Sequence, residues 1–206
     1  PNLGDWIDPP TDWESIIETF PRGELRDYLT LVSEGEISIA VKPQYIDKLP
    51  KLWSGKVSGL LTRVNDMGEL DKYAKLTGIE HLLERELKDL SGGELQRVAI
   101  CATILKDAEV YFFDEPSSYL DIYERMRMVS IIQDLASKGK RVLVVEHDLA
   151  ILDVLCDMLH IIYGDRGAYG IFTPSRTTRG AINAYLDGFL HEENVRIRDK
   201  PIKFLR

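Results

Sequence analysis

Two adjacent carboxylates, Asp114 and Glu115, follow the apolar run VYFF at 110 to 113, so a strand delivers both to its end. A hard oxygen in that position suits Mg²⁺, which takes oxygen ligands in octahedral geometry. The second carboxylate is then placed to accept a proton from a water, or to orient and polarise it. Apolar runs ending in Asp-Glu also arise by chance, and the pair gains meaning from its neighbours. Upstream, LSGGELQR at 90 to 97 sets Gly92 and Gly93 directly after Ser91. Two glycines let backbone amides approach an anion closely, and a helix N-terminus adds favourable partial charge. A helix cap needs only Ser91 and Glu94, which match the capping-box spacing, whereas a glycine pair costs helix stability. Downstream, His147 follows a second β-rich run, RVLVV at 141 to 145. A lone histidine is ordinarily a core or surface residue, but at the end of a neighbouring parallel strand it reaches the same ligand.

The elements that must position these residues follow from hydrophobic period. WESIIETF and GELRDYLTLV read as short helices separated by Pro21, and EISIAV then alternates Ile37, Ile39 and Val41 as a strand does, stopping at Pro43 before Gln44. From Lys51 to Leu90 the period is helical again, with Val57, Leu60, Leu61 and Val64 on one face, which predicts a small helical subdomain inserted after a strand. Ser91 opens a helix with Leu95, Val98, Ala99 and Ala102 as its apolar stripe. A helix bearing Val129, Ile132 and Ala136 separates VYFF from RVLVV, giving a strand, helix, strand unit and hence a parallel sheet. Beyond LHIIY the chain turns through Gly164, Gly167 and Gly170 into a segment with one amphipathic helix around Ile182 to Leu190 and a charged end, the pattern of an appended linker or bracket.

Composition narrows the function class. The 206 residues are 44% hydrophobic and 29% charged, as in ordinary soluble globular proteins, and the net charge of −8 disfavours nonspecific binding to nucleic acid. No stretch approaches the roughly 18 uninterrupted apolar residues of a spanning helix, and PNLGDWIDPP lacks the plan of a signal peptide, so the cytoplasm is the expected compartment and no membrane partner is expected. Cys101 and Cys156 each sit in an apolar helical pattern and read as free thiols.

Together the motifs resemble those of the ABC family of ATPases. LSGGELQR is similar to its signature motif, VYFFDEP to its Walker B strand, SSYLD at 117 to 121 to its D-loop, EHD at 146 to 148 to its switch histidine, and KPQY at 42 to 45 to its Q-loop around Gln44. The five stand in the family's order and at its spacing. The resemblance implies an α/β fold, a P-loop NTPase core with a partial parallel sheet flanked by helices, in which two domains sandwich ATP. It implies that Leu90, Ser91, Gly92, Gly93, Glu94 and Gln96 serve the nucleotide of a partner domain. On the domain's own side it implies Mg²⁺ at Asp114 and Gln44, catalysis by Glu115 and His147, and a D-loop comprising Ser117, Ser118, Leu120 and Asp121.

A closer similarity covers nearly the whole chain. VKPQYID, LSGGELQRVAI, FFDEPSSYLD and YGDRGAYGIFTPSRTTRGAINAYLDGFL resemble the first nucleotide-binding domain and first hinge of the RNase L inhibitor family, a soluble ABC subfamily of ribosome recycling. This implies a partial nucleotide-binding domain over residues 1–163, its helical subdomain at about 45–96, and a hinge over 164–206. It implies ATP and Mg²⁺ as cofactors, with iron-sulfur clusters only in an N-terminal domain that these residues do not include. The implied partners are a second nucleotide-binding domain of the same protein, the small ribosomal subunit and a release-factor-like or Pelota-like protein. Arg176, Arg179, Arg196 and Arg198 are the implied hinge or ribosome contacts. One departure is Asp165-Arg166, where an acidic residue and a proline are expected.

No GxxxxGK[ST] occurs in the sequence, so the cradle that grips the β- and γ-phosphates is not among these residues. The resemblance places it just before Pro1, and the chain is expected to be part of a longer ATPase and inactive alone. Two other readings stand beside this one. An ATPase subunit of a membrane transporter is disfavoured by the tail and by SSYLD. A noncatalytic ABC-derived binding module is favoured by the missing cradle and opposed by Glu115 and His147.

Overall fold

The computed structural model describes residues 12–165 and 168–202. By their contacts these fall into two units, divided between Ile151 and Leu152, ahead of the glycine-rich turn at which the sequence suggests a boundary. Residues 12–16 group with the C-terminal unit. Two helices, α1 (Trp13–Glu18) and α2 (Glu24–Ser33), precede the sheet.

Three parallel strands organise the first unit: β1 (Ile39–Lys42), then β2 (Val110–Asp114) and β3 (Arg141–Val145), adjacent in that order. Between β1 and β2 the chain runs through the short helices α3 (Leu49–Leu52), α4 (Val57–Arg63) and α5 (Leu70–Thr77), then α6 (Gly92–Ile104). The helix α7 (Ile122–Ser137) makes the crossover from β2 to β3, so parallel pairing follows from the connection. α6 packs on α4, α5 and β1, while α7 packs on α5 and β3. The core they enclose includes Val98, Ile100, Ile104, Tyr111, Phe113, Ile132 and Leu135, all at most 3% exposed. Each apolar side chain so buried contributes about 1.5–3 kcal/mol before entropy is counted.

The alternation of Ile37, Ile39 and Val41 does mark a strand, in which Ile39 and Val41 are about half exposed and Ala40 and Lys42 are fully buried. The face covered by α6 is the one carrying Ala40 and Lys42; Val41 aligns with Phe112 and Leu143 on the other, more exposed face. Because the side-chain period of a strand is two, facing the helix with the other parity moves the whole set.

The second unit contains the end of α8 (Leu149–Leu155) and three two-stranded antiparallel pairs. β4 (Met158–Leu159) and β5 (Ile162–Asp165) lead to β6 (Tyr169–Phe172), which pairs with β5, and to β7 (Arg176–Thr177), which pairs with β4. The helix α9 (Thr178–Asp187) ends at Gly188 in the left-handed conformation, and β8 (Phe189–Leu190) pairs with β9 (Val195–Arg196). α9 begins earlier than the sequence suggests. The tail also has a core of its own, Ile161, Ala181, Ala184 and Leu190, with Leu159, Tyr163 and Ile197 packed against it. Of the departure at Asp165-Arg166, Asp165 closes β5 and Arg166 lies outside the described residues. Cys101 and Cys156 are both free thiols, and burial pushes Cys101 up to about 12. Among the described residues no helix is long and apolar enough to cross a membrane.

Candidate functional site

Parallel pairing brings the carboxyl ends of β1, β2 and β3 to one edge of the sheet, where open α/β sheets take their ligands. Gln44, Glu115 and His147 each stand one or two residues beyond a strand end, on three different strands. They converge on a single oxygen. Gln44 Nε2 donates to Glu115 Oε1 at 2.8 Å, and His147 Nε2 lies 3.0 Å from the same atom. Ser118 Oγ donates more weakly to Glu115 Oε2 at 3.4 Å. The Glu115 side chain is 22% exposed and His147 77%, so the carboxylate is reached from solvent past an exposed histidine.

Glu115 is also conformationally unusual. Its φ is +46°, a left-handed conformation that costs a residue with a β-carbon about 1–2 kcal/mol. Its amide donates to Val145 O at 2.9 Å, extending the β2–β3 ladder by one bond. Its carbonyl receives Gln96 Nε2 at 2.8 Å and Lys42 Nζ at 3.3 Å, while Lys42 Nζ also donates to Asp114 O at 2.7 Å. Lys42 and Gln96 are both fully buried. Burial pushes the Lys42 ammonium down to about 8, against the attraction of Asp114, Glu115 and Glu146. Neither contact was foreseeable as such. The only sequence signal for Lys42 is a lysine at an interior position of a short strand, and Gln96 was expected beside a phosphate rather than turned inward.

The neighbouring carboxylates are committed to structure. Glu146 Oε1 accepts from the amides of His147 and Asp148 at 2.8 and 3.2 Å, and Oε2 accepts from Ser117 N at 3.3 Å, tying the end of β3 to the loop after β2. Asp148 accepts from Arg125 at 2.6 Å and from Ala150 N at 2.9 Å. Half-buried Asp114 and exposed Gln44 carry further side-chain oxygens at this edge beside Glu115. Among the described residues no group of three or more His, Cys, Asp or Glu is arranged for a metal. Such a donor set fits Mg²⁺, which keeps several waters and phosphate oxygens, and does not fit an all-protein cage.

The LSGGE segment forms the capping box its spacing predicts. Ser91 Oγ accepts from Glu94 N at 3.4 Å, and Glu94 Oε2 accepts from both Ser91 N and Ser91 Oγ at 2.8 Å. The Ser91 amide, helped by the Ser91 hydroxyl and Arg85, holds the Glu94 carboxyl below the usual range. Leu90 is half-buried just before the cap, and Ser91 and Gly92 are exposed. The glycine pair has a structural reason that the sequence did not disclose. Tyr119, itself left-handed at φ +65° and 71% exposed, lies over both glycines. A Cβ at Gly93 would stand 2.9 Å from Tyr119 O, and one at Gly92 3.1 Å from the Tyr119 ring. The rest of SSYLD turns inward: Ser117 and Leu120 are buried, and Asp121 caps α7 by accepting from Glu124 N at 2.9 Å. The segments around Ser91 and Tyr119, far apart in sequence, therefore form one surface.

The four arginines proposed as a contact patch are not equivalent. Arg176 is 11% exposed and paired with Glu193, and with Glu192 at 3.2 Å. Arg198 donates to Tyr185 O at 2.8 Å and lies over the Tyr185 ring, and Arg196 lies over Phe189 and donates to Asp199 O at 3.4 Å. Arg179 is exposed on the first turn of α9. The internal partners of Arg176, Arg196 and Arg198 make them braces of this unit.

Comparison with known proteins addresses the family and the fold. A family described as ABC transporter matches residues 18–118. The translation initiation factor RLI1 of Saccharomyces cerevisiae is 41% identical, over 99% of this chain and 34% of its own length. A solved RNase-L inhibitor is 49% identical with a TM-score of 0.90, covering 94% of this chain and 38% of that one. The archaeal ribosome recycling factor aABCE1, solved in complex with the ribosomal stalk protein aP1, is 49% identical with a TM-score of 0.91, covering 96% and 38%. The chain spans about a third of the curated relatives it matches. Motif order, strand-end geometry and likeness over nearly its whole length agree that the chain belongs to the ABC family, in its RNase L inhibitor branch.

Proposed function

We propose that the strand-end edge is one half of an ATP-hydrolysing site, in which Glu115 accepts the proton of, or polarises, the water that attacks the γ-phosphate. The observation that carries this reading is the convergence of Gln44 and His147 on Glu115 Oε1 from the two flanking strands. Asp114 and Gln44 are the residues that would hold Mg²⁺, which when bound neutralises developing charge on the phosphate oxygens. Ser91, Gly92 and Gly93 would meet the nucleotide of a second domain through the exposed start of α6, with Tyr119 beside them. Gln96 and Glu94 act differently, holding the loop after β2 and the cap of α6 rather than touching phosphate.

The longer protein would couple this hydrolysis to ribosome recycling; its archaeal relative is named a ribosome recycling factor. The second nucleotide-binding domain and the ribosome are its proposed partners, together with a Pelota-like or release-factor-like protein. The test is Glu115→Gln in the full-length protein. Single-turnover hydrolysis at this site should fall about 10²- to 10⁴-fold while ATP still binds. Native turnover would remove Glu115 from the role. The 206-residue chain alone, having no cradle for the β-phosphate, should release no phosphate above its Glu115→Gln control.

A further inference from the structure

Two fully buried polar side chains at the site have no part in the hydrolysis described so far. Lys42 closes β1 and Gln96 lies in the second turn of α6, yet both aim at the same short stretch of backbone just after β2. We propose that Lys42 and Gln96 form a clamp that fixes the Glu115 peptide in its left-handed conformation and thereby aims the carboxylate, making both positioning residues for hydrolysis. The inference rests on the assignment of Glu115 as the group that activates water.

The geometry carries it in three steps. First, the Glu115 carbonyl receives both Gln96 Nε2 at 2.8 Å and Lys42 Nζ at 3.3 Å, which uses both of its lone pairs. The same two side chains hold the peptides on either side, Lys42 at Asp114 O (2.7 Å) and Gln96 at Pro116 O (2.9 Å). With Glu115 N bound to Val145 O, the peptides around residue 115 are held at successive points. Second, a glutamate at φ +46° persists only where its surroundings over-determine it. Released, the peptide would relax to a right-handed or extended conformation and carry the carboxylate away from Gln44 and His147. Third, stability does not account for Lys42. Withdrawing an ammonium from water is costly, and a well-packed apolar replacement at such a position is often neutral or stabilising. What an apolar residue cannot do is donate hydrogen bonds to two consecutive carbonyls, and those bonds are what Lys42 makes.

The experiment compares Lys42→Met, Glu115→Gln and the double variant in the full-length protein, measuring Mg·ATP affinity, thermal midpoint and single-turnover ATP hydrolysis. Methionine keeps the length of the side chain and removes the donors. Lys42→Met should slow hydrolysis about 10- to 100-fold, the range expected of a misplaced catalytic group, with unchanged Mg·ATP affinity and an equal or higher thermal midpoint. In the Glu115→Gln background it should cause no further slowing, because it acts through that carboxylate. Hydrolysis at the native rate, a loss that multiplies with that of Glu115→Gln, or a joint fall of affinity and thermal midpoint would each overturn the clamp. Gln96→Met should give the same pattern and serves if Lys42→Met does not fold; failure of both to fold makes the pair packing residues and overturns the proposal. If Glu115→Gln alone hydrolyses at the native rate, the assignment of Glu115 fails whatever Lys42→Met does.

Discussion

The strand-end edge and the C-terminal unit both gather charged residues, and they use them in opposite ways. At the edge, buried donors fix the backbone of Glu115 while its carboxylate meets only side chains on loops, His147 being 77% exposed. In the C-terminal unit the cations themselves are fixed: Arg176 by two glutamates, Arg198 by two carbonyls of α9 and the Tyr185 ring. A charge whose scaffold is held and whose tip is loosely held can do chemistry. One whose tip is bound to its own chain holds a turn together.

Removing a brace should therefore cost stability and leave the site intact. Arg176→Ala is expected to lower unfolding free energy by about 1.5–3 kcal/mol, the range for hydrogen bonds to charged groups, with Glu115-dependent hydrolysis unchanged in the full-length protein. Denaturant titration and single-turnover assays check this, and a loss of hydrolysis without a loss of stability would break the contrast. The pH dependence sharpens it. The Arg176 hydrogen bond holds the Glu193 carboxyl below its ordinary 4.5. A depressed folded value stabilises above the unfolded value, and that contribution disappears as pH falls through the folded one. The difference between native protein and Arg176→Ala should thus be full above pH 4.5 and shrink under more acid conditions.

A smaller effect tests whether the edge also depends on bracing by backbone. Gly93→Ala sets a methyl 2.9 Å from Tyr119 O, a backbone atom that cannot swing aside. Overpacking of about 1–3 kcal/mol outweighs the helix preference of alanine, and a net loss of about 1 kcal/mol is expected. Gly92→Ala meets only the Tyr119 ring, at 3.1 Å, and should stay within about 0.5 kcal/mol of the native protein. Equal losses at the two positions in thermal melts would show that something other than Tyr119 requires the glycines.

The smallest effect concerns surface charge. Arg179→Glu should weaken association with ribosomes and reduce the salt slope by about one, as for a single phosphate contact. Charge reversal at Arg196 should alter the slope less, because its guanidinium already lies over Phe189. Filter binding across a salt series distinguishes the two, and an unchanged slope for Arg179→Glu would place that arginine on a solvated face.

The sequence by itself determined the elements and their order. The Ser91 to Glu94 capping box, the Asp-Glu pair at the end of an apolar run and the strand, helix, strand unit all depend on neighbours a few residues apart, and each stands in the structure where its spacing puts it. Tertiary structure decided which side chains face which way. Lys42 meets carbonyls 72 and 73 residues away, Gln96 meets carbonyls 19 and 20 away, one of them shared with Lys42, and the requirement for glycine at 93 comes from Tyr119. In β1 a single step of parity decides whether Ile39 and Val41 or Ala40 and Lys42 meet α6, and the alternation alone does not say which. Arg176 and Arg179 likewise read alike as letters, and only the position of Glu193 makes the first a brace and leaves the second exposed. Local spacing fixes backbone hydrogen bonds and caps, but the partner of a buried charge is set by packing, which one strand or helix alone does not encode.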